Sequence, residues 1–535
     1  MTPTRASGPT APTSQRVVPA RRAVVVGGGI SGLASAALLA RDGYAVTVLE
    51  QRDQLGGRAG SWEQDGFRFD TGPSWYLMPE VFDHFFRLLG TSAAEQLDLV
   101  RLDPAYRVYG PPGKGEPIDI VSGREAVRAL FEEHEPGSGA NLEAYLDSAK
   151  DAYELSTSKF LYDPYSLTKG LRDPALVKRL PTLIPLLTRT LWKRVTTDFQ
   201  NTRLQQILAY PAVFLGGSPF EVPSLYHLMS HLDLGDGVLY PQGGMTEIIA
   251  AIEKLARERG VQIETSAPVE AIITESGLAR GVRLADGRII AADAVVSGAD
   301  LHHTENHLLE EKDRQYPEKW WKDKVPSPGA LLLLLGVKGE LPQLTHHTLL
   351  FTDDWHTNFD AIFGENKRIP DPASIYICRP SASDDSVAPA GHENLFVLVP
   401  VPADPDSGRG GVAGAGDERI EKAADRVIAQ IAEWTGIPDL AERIVVRKTI
   451  APEDFKEDLH AWHGNSLGLA HTLNQSAIFR PKNRSRKVQN LYYAGTSVLP
   501  GIGLPMCLIS AELVVKRLTG DTSPGPLAEP ARAAV

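Results

Sequence analysis

The sequence predicts a two-lobed α/β protein, and three observations carry this prediction. Near the N-terminus a short β-branched run leads into a glycine-rich turn, an Ala/Leu-rich helix and a second strand. Strand-like segments recur at 261–296 and 330–399, and amphipathic helical segments lie at 246–259 and 418–434. The length of 535 residues allows two or three domains with sizeable cores.

The composition excludes several classes of protein. A net charge of −12 argues against nucleic acid as a partner, since phosphate backbones bind basic surfaces. The two cysteines, Cys378 and Cys507, cannot form a disulfide framework, which favours the reducing cytosol. Residues 1–21 and 521–535 are predicted to be disordered tails. No apolar run reaches the roughly 18–20 residues of a transmembrane helix, and Ala330–Val337 is expected to be a buried strand.

The N-terminal βαβ unit carries the first functional signal. In the spacing Gly27-x-Gly29-x-x-Gly32, the first glycine makes a tight turn and the second lets the backbone approach a pyrophosphate. Gly32 lets the helix pack against the strand, and the helix N-terminus favours an anion. Glu50 ends the second strand, where a carboxylate can accept both hydroxyls of a ribose. This Rossmann-type unit predicts dinucleotide binding but does not separate FAD from NAD.

Two further segments favour FAD. Arg58 in Leu55-Gly-Gly-Arg58 follows Glu50 closely, and its guanidinium can clamp a phosphate; the alternative is a surface turn with a solvated arginine. Near the C-terminus, a rigid Pro500–Met506 turn leads into the last helix, whose N-terminus can stabilise an anionic reduced flavin. The alternative there is an ordinary loop before a core helix.

Five stretches make the sequence recognisable: 24–79, 214–229 (FLGGSPFEVPSLYHLM), 237–245 (GVLYPQGGM), 464–483 and 490–512. With these, the chain resembles the bacterial-type phytoene desaturases within the amine-oxidase-like flavoproteins. One departure is GTSVLPGIG at 495–503, which lacks the histidine that usually precedes the Pro-Gly. The departure indicates a branch variant of the family.

The resemblance implies a fold and a site. The fold would be a Rossmann-type FAD-binding domain (amine-oxidase/glutathione-reductase-like) with a mixed-sheet substrate domain and a helical membrane-associated lid. The FAD lobe would take 22–95, 237–300 and 445–520, and the substrate lobe 96–236 and 301–444. FAD contacts are expected at Gly27, Gly29, Ser31, Gly32, Glu50, Gln51, Gly57, Arg58, Gly72, Pro73, Ser74, Val269, Gly495, Leu504, Pro505 and Met506. Tyr240, Gly243, Gly244 and Met245 are expected to line the flavin edge that faces the substrate.

The implied reaction is FAD-dependent desaturation of phytoene toward lycopene or a partly desaturated intermediate. The flavin would take one hydrogen as hydride, the other would leave as a proton, and oxygen or a quinone would reoxidise the cofactor. The sequence nominates no catalytic base. A related carotenoid isomerase, ketolase or later-step desaturase, an amine oxidase, and a flavin-free lipid-binding relative of the Rab GDP-dissociation inhibitors remain alternatives.

A basic and apolar segment at Lys169–Thr197 predicts contact with a membrane surface. Its seven lysines and arginines face only one acid in the same window, and leucines and Trp192 lie between them. The alternative is an amphipathic core helix with a solvated basic face. Pro181 and Pro185 are expected to interrupt any single long helix. We therefore expect a cytoplasmic protein that associates peripherally with the inner face of the cell membrane.

Other motifs carry less weight. Gly464–Gly468 matches the G-x-S-x-G nucleophile elbow, but the preceding residues are charged and not strand-like. The histidine groups His227/His231 and His460/His463/His471 lack a cysteine or carboxylate partner in sequence, so no metal site is predicted from them.

Overall fold

The computed structural model describes residues 20–164 and 174–530. Its strands are β1 (Arg22–Val26), β2 (Ala45–Leu49), β3 (Ser61–Gln64), β4 (Phe67–Asp70), β5 (Leu99–Arg101), β6 (Tyr106–Tyr109), β7 (Ile118–Ile120), β8 (Leu239–Pro241), β9 (Gln262–Glu264), β10 (Val269–Glu275), β11 (Leu278–Leu284), β12 (Ile289–Ala291), β13 (Ala294–Ser297), β14 (Gly329–Lys338), β15 (His347–Leu350), β16 (Ile375–Cys378), β17 (His392–Val401), β18 (Ile444–Ile450) and β19 (Leu491–Tyr493).

The helices are α1 (Ile30–Arg41), α2 (Pro79–Leu88), α3 (Ala93–Gln96), α4 (Arg124–His134), α5 (Ser138–Lys159), α6 (Pro174–Thr188), α7 (Leu191–Asp198), α8 (Thr202–Ala209), α9 (Pro211–Phe214), α10 (Thr246–Glu258), α11 (Leu301–Asn306), α12 (Glu318–Trp321), α13 (Trp355–Phe363), α14 (Glu418–Thr435), α15 (Leu440–Arg443), α16 (Pro452–Leu459) and α17 (Leu504–Thr519). Most of the predicted N-terminal tail, 1–19, lies outside the described residues, as do 531–535 and residues 169–173 of the basic segment.

A five-stranded parallel sheet confirms the predicted βαβ unit. Its strand order is β19-β13-β1-β2-β9, and α1 connects the neighbouring strands β1 and β2. The valines of β1 are buried on both faces: Val25 belongs to one core with α1, α10 and α17, whereas Val24 and Val26 pack with β10 and β11. Strands from both ends of the chain therefore assemble one nucleotide-binding scaffold.

A seven-stranded sheet forms the second large element and is mixed, as predicted. Its order is β18-β14-β17-β16-β15-β6-β7, in which β15 and β6 run parallel and the other neighbours antiparallel. Along β14, Leu331, Leu333 and Leu335 pack under α14, whereas Leu332 and Leu334 join the large central core. This alternation follows the two-residue period of a strand. The run Ala330–Val337 is thus the buried strand that the sequence predicts.

A small antiparallel sheet, β10-β11-β12, completes the nucleotide-binding part. Its last turn is Asp286-Gly287, and Gly287 has a φ of +88°. The left-handed conformation favours glycine, so the hairpin signal in the sequence is confirmed here.

Two segments group differently from the predicted lobes. Strand β18 falls in the range expected for the FAD lobe, yet it pairs with β14 in the seven-stranded sheet. Leu301, Leu308 and Trp321, expected in the substrate lobe, pack in one core with Val295 of β13 and Leu491 of β19. The rest of the division into lobes stays a prediction.

The expectation that Pro181 and Pro185 interrupt a helix is wrong. Helix α6 continues through both prolines and ends at Thr188. The prolines and Val177 are exposed, so water can hydrogen-bond to the carbonyl groups that lose an N–H donor. In the described part of the chain, no helix combines the length and the apolar character needed to cross a membrane.

Candidate active site

A cavity of about 760 Å³ collects nearly all of the predicted cofactor contacts. One end is formed by the glycine turn after β1, the end of β2 and the start of α17, and the other end is apolar. Its walls include Gly27, Gly29, Ser31, Glu50, Gln51, Gly57, Arg58, Gly72, Pro73, Ser74, Val269, Gly495, Leu504, Pro505 and Met506. The structure therefore brings together segments that lie more than 400 residues apart. The roles of the individual residues as FAD contacts stay predictions.

The glycines of the turn have different reasons for being glycine. Gly27 has a φ of +95°, and its N–H donates to the Leu49 carbonyl at 2.8 Å. A Cβ on Gly32 would clash with the Gly27 carbonyl oxygen, so this glycine serves packing and does not line the cavity. A Cβ on Gly29 would meet no protein atom closer than 3.8 Å. The free space at Gly29 thus lies on the cavity side, where a ligand can approach the backbone.

Glu50 is a buried carboxylate fixed at the cavity wall. Its Oε2 accepts the Gly28 N–H at 2.7 Å, and its Oε1 accepts the Arg52 N–H at 2.9 Å. Each carboxylate oxygen has two acceptor sites, so both oxygens keep one for a ligand hydroxyl. The carboxylate can therefore hold a ribose without rearranging.

Arg58 is an incompletely bonded cation beside the glycine turn. The turn that carries it is docked by a hydrogen bond from the Gly56 N–H to the Gly28 carbonyl at 3.0 Å. Among the described residues, neither Nε nor Nη2 of Arg58 has a hydrogen-bond partner, although both atoms are buried. Burial lowers the pKa of Arg58, but a guanidinium remains protonated in proteins. An anionic ligand with several acceptor oxygens would satisfy these donors.

The C-terminal half of the site is built on α17. Gly495 has a φ of +126°, and its N–H donates to Oγ of Ser510 at 3.1 Å, which fixes the strand-to-turn exit. Leu504 to Met506 form the first turn of α17 and line the cavity. The free N–H groups of a helix N-terminus favour negative charge, as expected for a reduced flavin.

Several residues of the cavity wall were not found by sequence reasoning. Asp300 caps α11 through the N–H of His302 at 2.9 Å, and His303 stacks on His460 with ring centroids 3.9 Å apart. His460 Nε2 lies 2.7 Å from Oε1 of Gln51, which holds that predicted contact in place. Burial lowers the pKa of His303 to about 3, so its ring is neutral. No local motif marks these residues, because the fold joins them over 150 residues or more.

The structure places the predicted substrate-side residues elsewhere. Tyr240, Gly243, Gly244 and Met245 do not line the cavity. The Tyr240 hydroxyl and the Gly243 N–H both donate to Oδ2 of Asp384, at 3.0 and 2.6 Å, and the Met245 N–H donates to Asp70 at 2.7 Å. Asp384 and Asp70 therefore hold this turn outside the residues that line the cavity, and its expected place at the flavin edge stays a prediction.

The apolar part of the cavity is lined by aromatic and aliphatic side chains. Its members come from five parts of the chain and include Trp75, Tyr210, Phe214, Leu332, Phe351, Phe359, Phe396 and Leu398. Helix α6 contributes Leu180, Leu183, Ile184 and Leu187. Four large apolar residues of the lining, Ile184, Leu187, Leu473 and Phe479, are also exposed to solvent. We call these four residues the rim, since they mark where the cavity meets the surface.

Comparison with known proteins agrees with this geometry. The model of flavin-containing amine oxidoreductases matches residues 30–519. The chain belongs to this family. It is 44% identical to a carotenoid 3,4-desaturase of Haloarcula japonica over 499 residues, which covers 93% of the chain and 98% of the relative. It is 38% identical to a zeta-carotene-forming phytoene desaturase of Myxococcus xanthus over 503 residues, covering 93% and 94%.

Solved structures show the same fold. An oxidoreductase from Methanosarcina mazei superposes with a TM-score of 0.60 at 18% identity, covering 92% of this chain and all of that one. The predicted flavoprotein fold, the FAD cofactor and the resemblance to carotenoid desaturases are thereby confirmed, whereas the helical membrane-associated lid stays a prediction.

This flavin oxidoreductase has the residues that FAD requires. Arg58 would bind the pyrophosphate together with the N-terminus of α1, and Glu50 would bind the ribose of the adenosine. When bound, FAD supplies the acceptor for a hydride. These residues and the apolar wall line the same cavity, so a bound flavin would lie next to side chains that can keep water away from it.

Proposed function

We propose that this flavoprotein desaturates a long-chain carotenoid hydrocarbon, converting phytoene toward lycopene or a partly desaturated intermediate. One observation carries the proposal: the predicted FAD contacts and a chamber of apolar side chains line a single cavity. A substrate chain in that chamber would present its carbon–carbon bonds to the flavin. The names of the relatives in Haloarcula and Myxococcus support the same substrate class.

The chamber suits a substrate without polar groups. A polyene can bind only through burial of its surface, which contributes about 25 cal/mol per Å². The aromatic and leucine side chains of the wall offer such contacts along the whole chamber. Desaturation removes two hydrogens from adjacent carbons, one as hydride and one as a proton, so the wall must also keep water away from the reacting bond.

A later desaturation step is the second candidate. It is favoured by the 44% identity to a carotenoid 3,4-desaturase, compared with 38% to a phytoene desaturase. Both reactions need the same cavity and the same cofactor. The two candidates differ only in which bond of the chain reaches the flavin.

The test is a comparison of substrates with the FAD-loaded protein. Phytoene and lycopene are incubated separately in lipid vesicles, and the products are separated by chromatography. Consumption of phytoene supports the first candidate, and conversion of lycopene alone supports the second. Conversion of an aliphatic amine, but of neither carotenoid, would contradict both. Failure of the purified chain to bind FAD would instead favour a lipid-binding protein without flavin.

The electron acceptor can be identified in the same assay. We propose that oxygen or a membrane quinone reoxidises the flavin. The phytoene reaction is run without oxygen, with and without added quinone. Turnover that depends on quinone identifies the quinone, and turnover that appears only in air identifies oxygen.

We also propose that the protein docks peripherally on an anionic membrane, from the cytoplasmic side, through α6 and α7. Lys178, Arg189 and Lys193 are exposed there, next to the apolar rim of the cavity. This arrangement would let a lipid-dissolved substrate enter directly. Two residues of the segment pack against the protein instead. The ring centroids of Trp192 and Phe220 are 5.0 Å apart, and Cζ of Arg194 lies 5.1 Å from the centroid of the Tyr145 ring.

The docking proposal is tested by charge reversal with a matched control. The K178E/K193E double variant is compared with K254E/K422E, which changes the net charge equally at exposed lysines outside the cavity. Flotation with phosphatidylglycerol vesicles should show weaker binding for the first variant only, by roughly 1 kcal/mol per lysine. Equal loss in both variants, or no loss in either, would contradict docking through α6 and α7.

A further inference from the structure

A second cluster of chemically active side chains lies behind the cavity wall. His346 precedes β15, His347 begins β15, and Cys378 ends the neighbouring strand β16. His347 and Cys378 are register partners across the two strands, so their side chains share one face of the sheet. All three residues are at most 4% exposed. One ligand atom of each residue lies within 4.8 Å of the other two.

In both imidazoles, Nδ1 lies within hydrogen-bond distance of a hydroxyl group, whereas Nε2 has no hydrogen-bond partner among the described residues. His347 Nδ1 lies 2.8 Å from the Tyr376 hydroxyl, and His346 Nδ1 lies 3.1 Å from Oγ of Ser383. Within the described part of the chain, Nε2 of each ring is buried without any hydrogen-bond partner. A buried nitrogen without a hydrogen-bond partner destabilises the fold, and two of them occur here in neighbouring residues.

We propose that His346, His347 and Cys378 bind one Zn²⁺ ion, with water as the fourth ligand. Two neutral imidazoles and one thiolate are a donor set that zinc prefers. Binding would form two Zn–N bonds and one Zn–S bond and would release the thiol proton of Cys378 to solvent. The hydrogen bonds at the two Nδ1 atoms would fix the ring orientations, as partners of metal-binding histidines commonly do.

The surroundings fit an ion of this charge. A void of about 10 Å³, with room for about one water molecule, borders Cys378 but neither histidine, and Asp70, Ser74 and Tyr240 line it. The Tyr240 ring lies 4.5 Å from the His346 ring, and its hydroxyl donates to Asp384. Zinc with one thiolate keeps a net charge of +1, which a nearby carboxylate can offset.

The ion would stiffen the wall between this cluster and the cavity. Trp75 lines the cavity and stacks on His347, with ring centroids 4.5 Å apart and an interplanar angle of 9°. Tyr376 bridges His347 to the hydroxyl of Ser74, which lies 2.6 Å from the tyrosine oxygen. A bound ion would thus hold His347 and, through it, three residues of the cavity wall, Trp75, Tyr376 and Ser74. The inference is independent of which carotenoid the protein uses.

The test is the metal content of the full-length FAD-loaded protein. We expect one zinc per chain by inductively coupled plasma mass spectrometry, and loss of that zinc in C378S. The matched control C507S removes the other buried cysteine and should keep the metal. After chelation, Co²⁺ alone should restore a thiolate-to-cobalt charge-transfer band in the wild type and in C507S, but not in C378S.

The wild-type protein tests zinc binding even if the C378S variant fails to fold. If the purified wild type holds no zinc, and the chelated wild type binds neither Zn²⁺ nor Co²⁺ in equilibrium dialysis, the proposal is overturned. If zinc is bound, X-ray absorption at the zinc edge must show one sulfur ligand. A spectrum with nitrogen and oxygen ligands alone would place the ion elsewhere and would also overturn the assignment.

Discussion

Nη2 of Arg58 lies 3.9 Å from Oδ2 of Asp300, beyond hydrogen-bond distance, and both side chains line the cavity. The other carboxylate oxygen of Asp300 is already engaged, since Oδ1 caps α11. The guanidinium is therefore attracted by a nearby charge but not satisfied by it. This leaves its buried N–H groups available for the acceptor oxygens of a phosphate.

Replacing Arg58 should weaken FAD binding more than it weakens the fold. We expect R58A to raise the dissociation constant of FAD about 10- to 100-fold, because hydrogen bonds to charged groups are worth about 1.5–3 kcal/mol. R58K should recover only part of the loss, since an ammonium lacks the planar fork of a guanidinium. Flavin fluorescence titration measures the constant. R52A, on the same loop but outside the cavity lining, is the control and should bind FAD like the wild type.

Two glycines of one turn should respond in opposite ways to alanine. G32A forces a Cβ against the Gly27 carbonyl, so the unliganded protein should lose about 2 kcal/mol of unfolding free energy or more. Gly29 has a φ of −73°, and its Cβ would meet nothing closer than 3.8 Å. G29A should therefore keep the stability of the unliganded protein and lose FAD affinity. Denaturant unfolding without FAD, followed by FAD titration, separates the two effects. Similar stability losses for both variants would contradict this assignment.

The nucleotide-binding half of the site could be predicted from sequence because its signals are local. The glycine spacing, Glu50 and Arg58 lie within 32 residues, and each performs its task through the backbone geometry of one turn or strand end. The segment from Gly495 to Met506 is a similar local unit. The structure accordingly gathers these residues around one cavity.

The substrate half could not be predicted in this way. The turn at 240–245 has a recognisable sequence, but Asp70 and Asp384, which are about 140 to 175 residues distant, decide which side it faces. Helix α6 contributes four side chains at helical spacing, but the rest of the apolar wall comes from many separate elements that no single periodicity joins. The pair His346 and His347 does not indicate a metal site by itself, because the third proposed ligand, Cys378, comes from the neighbouring strand β16.

Asp233 should make stability depend on pH. Its carboxylate is buried, and Oδ2 accepts hydrogen bonds from the hydroxyls of Tyr106 and Tyr210 at 3.2 and 3.1 Å. Burial raises the pKa of Asp233 to about 7, from an ordinary value of 3.8. A raised pKa means that the folded protein binds the proton more tightly than the unfolded chain. The contribution to stability is therefore complete below about pH 4 and is lost as the pH rises to about 7.

The D233N variant isolates this effect, because its amide does not titrate. The unfolding free energy of the wild type minus that of D233N should fall between pH 5 and pH 8 by on the order of 1–3 kcal/mol. Asp70, whose pKa burial raises to about 6, titrates in both proteins and cancels in the difference. Urea unfolding of the unliganded proteins at both pH values gives the measurement. A difference that stays constant or grows with pH would refute the protonated carboxyl.

The rim should govern access of the substrate without governing the cofactor. Ile184 and Phe479 line the cavity but are 53% and 58% exposed, so glutamates there should leave the fold intact and add charge where lipid would lie. I184E/F479E should bind FAD normally, partition at least tenfold less into vesicles and turn over vesicle-bound phytoene more slowly.

The control I289E/V445E alters two residues that are 64% and 54% exposed and lie outside the cavity lining. Because each exposed apolar side chain buried in lipid contributes about 1.5–3 kcal/mol, the first pair should lose this energy and the second should not. Equal losses in the two variants would show that the rim has no special part in access.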